Sequence, residues 1–331
     1  MTMIQRADAE ALIPEEMSAE IFQHLPEGSA VMKLGRRLPN MATNVRRLPV
    51  LSALPLAYFA DEAVEYPGTG YDNMKHLSKA EWEKKYITAE DIAVILPIPE
   101  AVLDDASYDI WAELRPHLVE AFGQVFDAAV LYGTNAPATW PDGIVPDAVA
   151  AGNTLALGAV GDLWDDIMGR DGLDVGLIGL VEDDGYFPNG FIGAVQVRGM
   201  LRGLRSDSGD GAPLFRQAIV GAGPETRYEI DGQPTYFPTN GAVDAAESLL
   251  ICGDWTKLVW SIRQDITYKI LDQAVIQDPA SGNIIYNLPQ QDMVALRATM
   301  RIGWNVPNPI NRVNTDPDTR YPFSVLTPAE S

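Results

Sequence analysis

The chain has 331 residues, with 46 Asp and Glu against 24 Lys and Arg, so the formal net charge is -22. Phosphate neutralisation needs clustered cations, and a surface this acidic repels a nucleic-acid backbone over most of its extent, which excludes a general nucleic-acid binder. The single cysteine, Cys252, excludes an internal disulfide framework and a multi-cysteine zinc site. The first seventeen residues carry acids where an export signal has a basic flank and an apolar run. The longest apolar run, within Asp174 to Glu182, is short of the ~20 residues a membrane span requires, so a soluble protein without a membrane partner is expected.

In chain order, the first fifty residues read as an irregular arm. A short helix is expected over Ser18 to His24, followed by the basic pairs Arg36-Arg37 and Arg46-Arg47. Positive charge is thus local in a negative chain, which suits contact with an acidic surface such as another copy. Between Ala57 and Glu90, the segments Tyr58 to Glu65 and Tyr86 to Val94 read as strands flanking a long excursion rich in turn formers and lysine. Such an excursion is uncommon in a folded domain unless it reaches out to bind something.

From Ser107 the period changes. Ile110, Leu114, Leu118, Phe122, Val125 and Ala129 fall three or four apart, which predicts one long helix ending at Gly133, with a bend near His117 caused by Pro116. After Pro146 the texture becomes α/β. Asp162 to Met168 reads as a helix, Gly176 to Val181 as a buried strand and Ala194 to Leu204 as a helix. Asp231-Gly232 between extended runs has the composition of a type I′ hairpin turn. Strands follow at Leu249 to Gly253 and Leu258 to Ile262. A long strand over Asp292 to Pro307 sets Val294, Leu296, Ala298, Met300 and Ile302 on one side, with Arg297, Thr299 and Arg301 on the other.

Catalytic chemistry is hard to find. His24, His76 and His117 lie in separate segments, so no metal pair or nucleophile motif forms. Gly221-Ala-Gly223 lacks the third glycine of a dinucleotide fingerprint, and no phosphate loop is present. Asp165-Asp166, Asp183-Asp184 and Asp207 to Gly211 read as solvated turns rather than cation sites. Cys252, inside an apolar run, reads as a small buried hydrophobe. No enzyme activity, catalytic residue, metal or cofactor is expected.

The order of parts, together with Ile92-Ala-Val-Ile-Leu-Pro-Ile-Pro-Glu-Ala-Val-Leu-Asp-Asp-Ala-Ser107, Ala128 to Asn135, Gly143-Ile144, Gly253-Asp254-Trp255 and Met300 to Ile310, resembles the tailed-bacteriophage major capsid protein of the Hong Kong ninety-seven type. That resemblance implies an α+β fold with an N-terminal arm, an extended β-hairpin loop, a long spine helix in a peripheral domain and an α/β axial domain. It divides the chain into arm and lead-in strand at 1–56 and extended loop at 57–91. The peripheral domain takes 92–150 and 270–331, with the spine helix about 107–132, and the axial domain takes 151–269.

The implied function is a structural subunit that self-assembles, through pentamers and hexamers, into the icosahedral head enclosing double-stranded DNA of a tailed phage. An encapsulin-like nanocompartment shell and a soluble α/β binding protein or hydrolase are the alternatives. Expected inter-subunit contacts are Tyr66, Tyr71, Lys75, Lys79 and Trp82 in the loop, and Arg36, Arg37, Arg46 and Arg47 in the arm. The lysines are read as surface charge rather than crosslinking groups. Portal and scaffolding proteins, and in some relatives a decoration protein, are further implied partners. The implied location is the virion, after assembly in the host cytoplasm. The acid excess then describes a wall beside DNA that does not bind it specifically.

Overall fold

The computed structural model describes residues 28–55, 57, 78–105, 110–170, 174–204, 228–278 and 280–329. Within them the arm enters through a short helix α1 (Ala30–Leu34), whose cap Ser29 accepts a hydrogen bond from the Met32 amide, and a two-residue strand β1 (Arg36–Arg37). Strands β2 (Val45–Ala53) and β3 (Glu81–Thr88) form an antiparallel ribbon, and β4 (Glu90–Pro99) leads through α2 (Glu100–Asp105) to the long helix α3 (Ile110–Tyr132). Tyr86 to Val94, expected as one strand, is split at the buried Ala89, whose amide donates to the Asn44 carbonyl. The break lets β3 leave with the ribbon while β4 stays in a sheet. The expected elements at Ser18 to His24 and Tyr58 to Glu65, and the Ser107 cap, lie outside the described residues.

The predicted long helix is present and runs as one element through Pro116. Its packed stripe is Leu118, Phe122, Phe126, Ala129 and Val130. It stops where Gly133 turns left-handed at φ 69°. A Cβ on Gly143, itself at φ 124°, would lie 2.7 Å from the Gly133 amide nitrogen, so the helix end and the start of α4 (Ile144–Ala151) meet backbone to backbone. Only glycine meets both demands. Gly143→Ala is therefore expected to cost about 1–3 kcal/mol, read as a lower urea midpoint of the unassembled subunit; an unchanged midpoint would rule out this close approach.

The rest of the chain builds β5 (Thr154–Ala156), α5 (Leu163–Met168), α6 (Leu177–Asp183), β6 (Gly190–Gly193), α7 (Val195–Gly203), β7 (Tyr228–Ile230), β8 (Gln233–Tyr236) and β9 (Leu250–Gly253). It then forms β10 (Val259–Leu271), the short hairpin β11 (Val275–Gln277) and β12 (Ile284–Asn287), then β13 (Met293–Asn305) and β14 (Phe323–Thr327). One sheet has the order β1-β10-β13-β4 and another the order β5-β14-β9-β6-β8-β7. Leu296, Ala298, Met300 and Ile302 of β13 enter the same core as α3, as the alternation predicts. Trp140 links them, edge-on to Phe126 at 6.1 Å and to Trp304 at 6.5 Å.

The structure departs from the expectations in several places. Gly176 to Val181 is not a strand: Leu177–Asp183 is helix α6, with Leu177 and Val181 buried one turn apart. A six-residue apolar run satisfies either period, and tight packing decides it, since a Cβ on Gly176 would lie 2.2 Å from the Gly169 amide nitrogen at the end of α5. Sheet membership also crosses the expected division of the chain. β10 pairs with β13 rather than within the six-stranded sheet, and β14 joins that sheet between β5 and β9.

The aspartate pairs are likewise not simply solvated turns. Asp166 is fully buried and accepts from the amides of Gly158, Val160 and Gly161. Asp184 is buried and accepts from Asn153 and Asn314 side chains at 2.7 Å each and from the Tyr321 amide at 2.9 Å. Both carboxylates close loops by collecting buried donors that would otherwise be unpaired. Asp231 and Gly232, at φ 50° and 70°, make the predicted hairpin turn.

Candidate assembly surfaces

Val50 is buried partway along the β2–β3 ribbon and the Leu51 carbonyl accepts from the Ile310 amide at 3.1 Å, but the ribbon's main cluster is at its root. There Ile87 and Ala89 form a small cluster with Met41 and Val259. Farther out Leu51 pairs with Trp82, and Trp82 is 70% exposed, while Tyr86 at 48% and Val45 at 46% are also bare. A two-stranded ribbon is at best marginally stable alone. At that exposure the Trp82 indole has little packing among the described residues of its own subunit. Lys79 pairs with Glu81 on the same ribbon. Tyr66, Tyr71 and Lys75 lie outside the described residues.

The arm arginines divide into two kinds. Arg46 donates to the carbonyls of Pro39 at 2.8 Å and Asn40 at 3.1 Å and reaches the Ser261 hydroxyl on β10. Arg37 donates to the Asn40 side chain at 3.2 Å, with its guanidinium 5.6 Å from the Trp260 ring centre. Within one subunit these two fasten the arm to the four-stranded sheet. Arg36 and Arg47 are exposed and form no ion pair among the described residues.

The arm has a second fastening that the sequence reading missed. Asp127 of α3 is fully buried and accepts from the Ser29 hydroxyl, from the Ala30 amide at 2.8 Å and the Val31 amide at 3.3 Å, and from the Asn240 side chain at 3.4 Å. One turn earlier, a Cβ on Gly123 would sit 2.9 Å from the Ser29 amide nitrogen, so its absence lets the arm approach. Burial pushes the Asp127 carboxyl up to about 6, and the four hydrogen bonds only partly oppose this. The signal in the sequence was a carboxylate on the apolar stripe, beside Phe126 and three residues before Val130.

Cys252 is buried, and burial raises its thiol well above the ordinary range. Among the described residues no group of three or more His, Cys, Asp or Glu could hold a metal ion, and no helix is long and apolar enough to cross a membrane.

Comparisons with known proteins agree on one family. The model of the phage capsid family matches residues 9–311. The major capsid protein of Staphylococcus phage 80alpha is 28% identical over 293 residues, covering 88% of this chain and 80% of that protein. A solved structure from Microbacterium phage Oxtober96 superposes with a TM-score of 0.79 at 36% identity, covering 99% of this chain and 100% of that one. One from Mycobacterium phage Cain gives 0.79 at 30% identity with both chains fully covered. Neither the nanocompartment shell nor the soluble hydrolase is favoured by these matches. With the long helix, bare ribbon and fastened arm already in place, the match along nearly the whole length means that the chain belongs to the phage capsid family, as a major capsid subunit of the Hong Kong ninety-seven type.

Proposed function

We propose that the subunit builds a closed icosahedral head from pentamers and hexamers around double-stranded DNA, with the extended loop at residues 57–91 lying over a neighbouring subunit. The bare Trp82 is the observation that carries this reading. A neighbour covers the indole, and exposed Arg36 and Arg47 meet acidic faces of other copies, which an excess of 46 acids over 24 bases supplies in plenty. Residues 92–150 and 270–331 act as the peripheral domain and residues 151–269 as the axial one. Portal and scaffolding proteins act as partners during assembly in the host cytoplasm, with a decoration protein as a further partner on the finished shell. A net charge of -22 suits a wall that holds the genome without gripping it.

Trp82→Ala tests the ribbon. Its removal is expected to lower shell yield by about tenfold or more, as for loss of an interface anchor worth ~2 kcal/mol per contact, while the melting temperature of the unassembled subunit stays the same. Shells formed at wild-type yield would argue against docking through this ribbon, and a lowered melting temperature would mean that Trp82 serves its own fold.

A further inference from the structure

The four-stranded sheet has α3 on one face. On the other, the register aligns Lys269 of β10 with Arg297 of β13 and Arg297 with Ile95 of β4. The next row is Thr267, Thr299 and Ala93, and beyond it Arg301 pairs with Asp91. Lys269 and Arg297 are exposed, and neither forms an ion pair among the described residues. Like charges directly opposite in a ladder destabilise it. A chain with nearly twice as many acids as bases has carboxylates to spare, yet among the described residues none is ion-paired with these two cations. Ile95, 43% exposed, adds an apolar shoulder to the row.

The opposite anomaly sits at the far end of β4. Helix α2 carries Glu100 in its first turn and ends in Asp104 and Asp105 with no basic residue in its last turn. Carboxylates at a helix C-terminus face the negative end of its dipole, which is unfavourable without a cation nearby. Asp104 and Asp105 are exposed, and no ion pair is formed by either among the described residues. Val102, 49% exposed on the same helix, is the apolar counterpart of Ile95.

We propose that the acidic end of α2 in one subunit docks on the Lys269 and Arg297 row of a second copy. Each surface is self-repelling in the isolated subunit, and each supplies the charge the other lacks, with an aliphatic residue beside it. The contact joins two different patches, so it is heterologous and propagates around a ring, which is what a shell subunit requires. The inference rests on the chain assembling with copies of itself.

The test is a charge swap. Wild type, K269E/R297E, D104K/D105K and the four-site combination are purified as full chains, checked for equal melting temperatures, and followed by light scattering and electron microscopy. Each single-sided reversal is expected to slow assembly by about tenfold or more, and the combination to return it to within about threefold of wild type. Failure of the combination to recover, or wild-type assembly by either reversal, including assembly that loses only packaged DNA, would overturn the contact. A wild type that forms no shells counts instead against self-assembly of the purified chain.

Discussion

Trp304→Ala is expected to lower the unfolding free energy of the unassembled subunit by about 3–5 kcal/mol, the range for removing a fully buried large aromatic. Trp304 is fully buried near the end of β13, packed edge-on against Trp140, which in turn meets Phe126 of the spine helix. The indole therefore joins the sheet to the helix through one aromatic chain. Its Nε1 has no hydrogen-bond partner among the described residues, so truncation leaves none of their groups newly unpaired, and the loss is one of packing. Trp304→Phe is the control: it keeps an aromatic ring and removes the unpaired N–H, so it is expected to cost less than half as much. Urea denaturation reads both. A Trp304→Ala loss below about 1 kcal/mol would show that this contact does not hold sheet and helix together.

Asp127 gives the second large effect, and its direction is opposite to ordinary acid denaturation. The folded carboxyl titrates at about 6 against an ordinary 3.8. The folded state therefore holds the proton more tightly than the unfolded chain does. The stabilisation from protonation is full below 3.8 and is lost as pH rises through about 6. The separation of about two pH units corresponds to about 3 kcal/mol. Ser29, the Ala30 and Val31 amides and Asn240 are uncharged, so desolvation rather than a neighbouring charge drives the shift. When protonated on Oδ1, the carboxyl can donate to the Ser29 hydroxyl while Oδ2 still accepts from the Ala30 amide and the Asn240 side chain.

Between pH 7.5 and 4.5 the wild type is thus expected to gain stability relative to Asp127→Asn, whose side chain does not titrate. The other acids titrate in both proteins, so the difference between the two isolates Asp127. Amide exchange at Ala30 and Val31 should slow in parallel as the arm tightens on the spine helix. Equal pH slopes for the two proteins would sink this account of the arm.

Parts of the fold were legible because their signals are local and long. The spine helix repeats its apolar period over many turns and β13 alternates from Leu296 to Ile302, so burial bears out most of both patterns; the exceptions are Val125, exposed on the helix, and Ala295, buried on the side of β13 expected to be polar. Helix α6 was misread because its apolar run is too short to separate two periods. The outer half of β10 was not legible because register shifts between Ile262 and Gln264, and again before Thr267, interrupt its alternation. No strand was expected at β14, which belongs to the six-stranded sheet. Among the candidate contact residues, Trp82 is exposed, whereas Arg37 and Arg46 make their described contacts within the subunit. Asp127 could not be placed, since its amide partners lie 97 and 96 residues away.

The amino-acid order alone determined the acid excess of -22, the helical and extended periods, the glycine at which the spine helix stops and the collinear motifs that carry the family resemblance. These are properties of single residues or of neighbours within a few positions, and backbone sterics and burial express them wherever the segment ends up. Tertiary structure alone decided that β10 pairs with β13 and that β14 joins the six-stranded sheet, that Asp127 meets the arm, and that Lys269 stands opposite Arg297. Each of these depends on register or packing between distant segments, where a shift of one residue turns a side chain to the other face. The charge total says that carboxylates are plentiful; the ladder sets two cations side by side with no ion pair to either among the described residues.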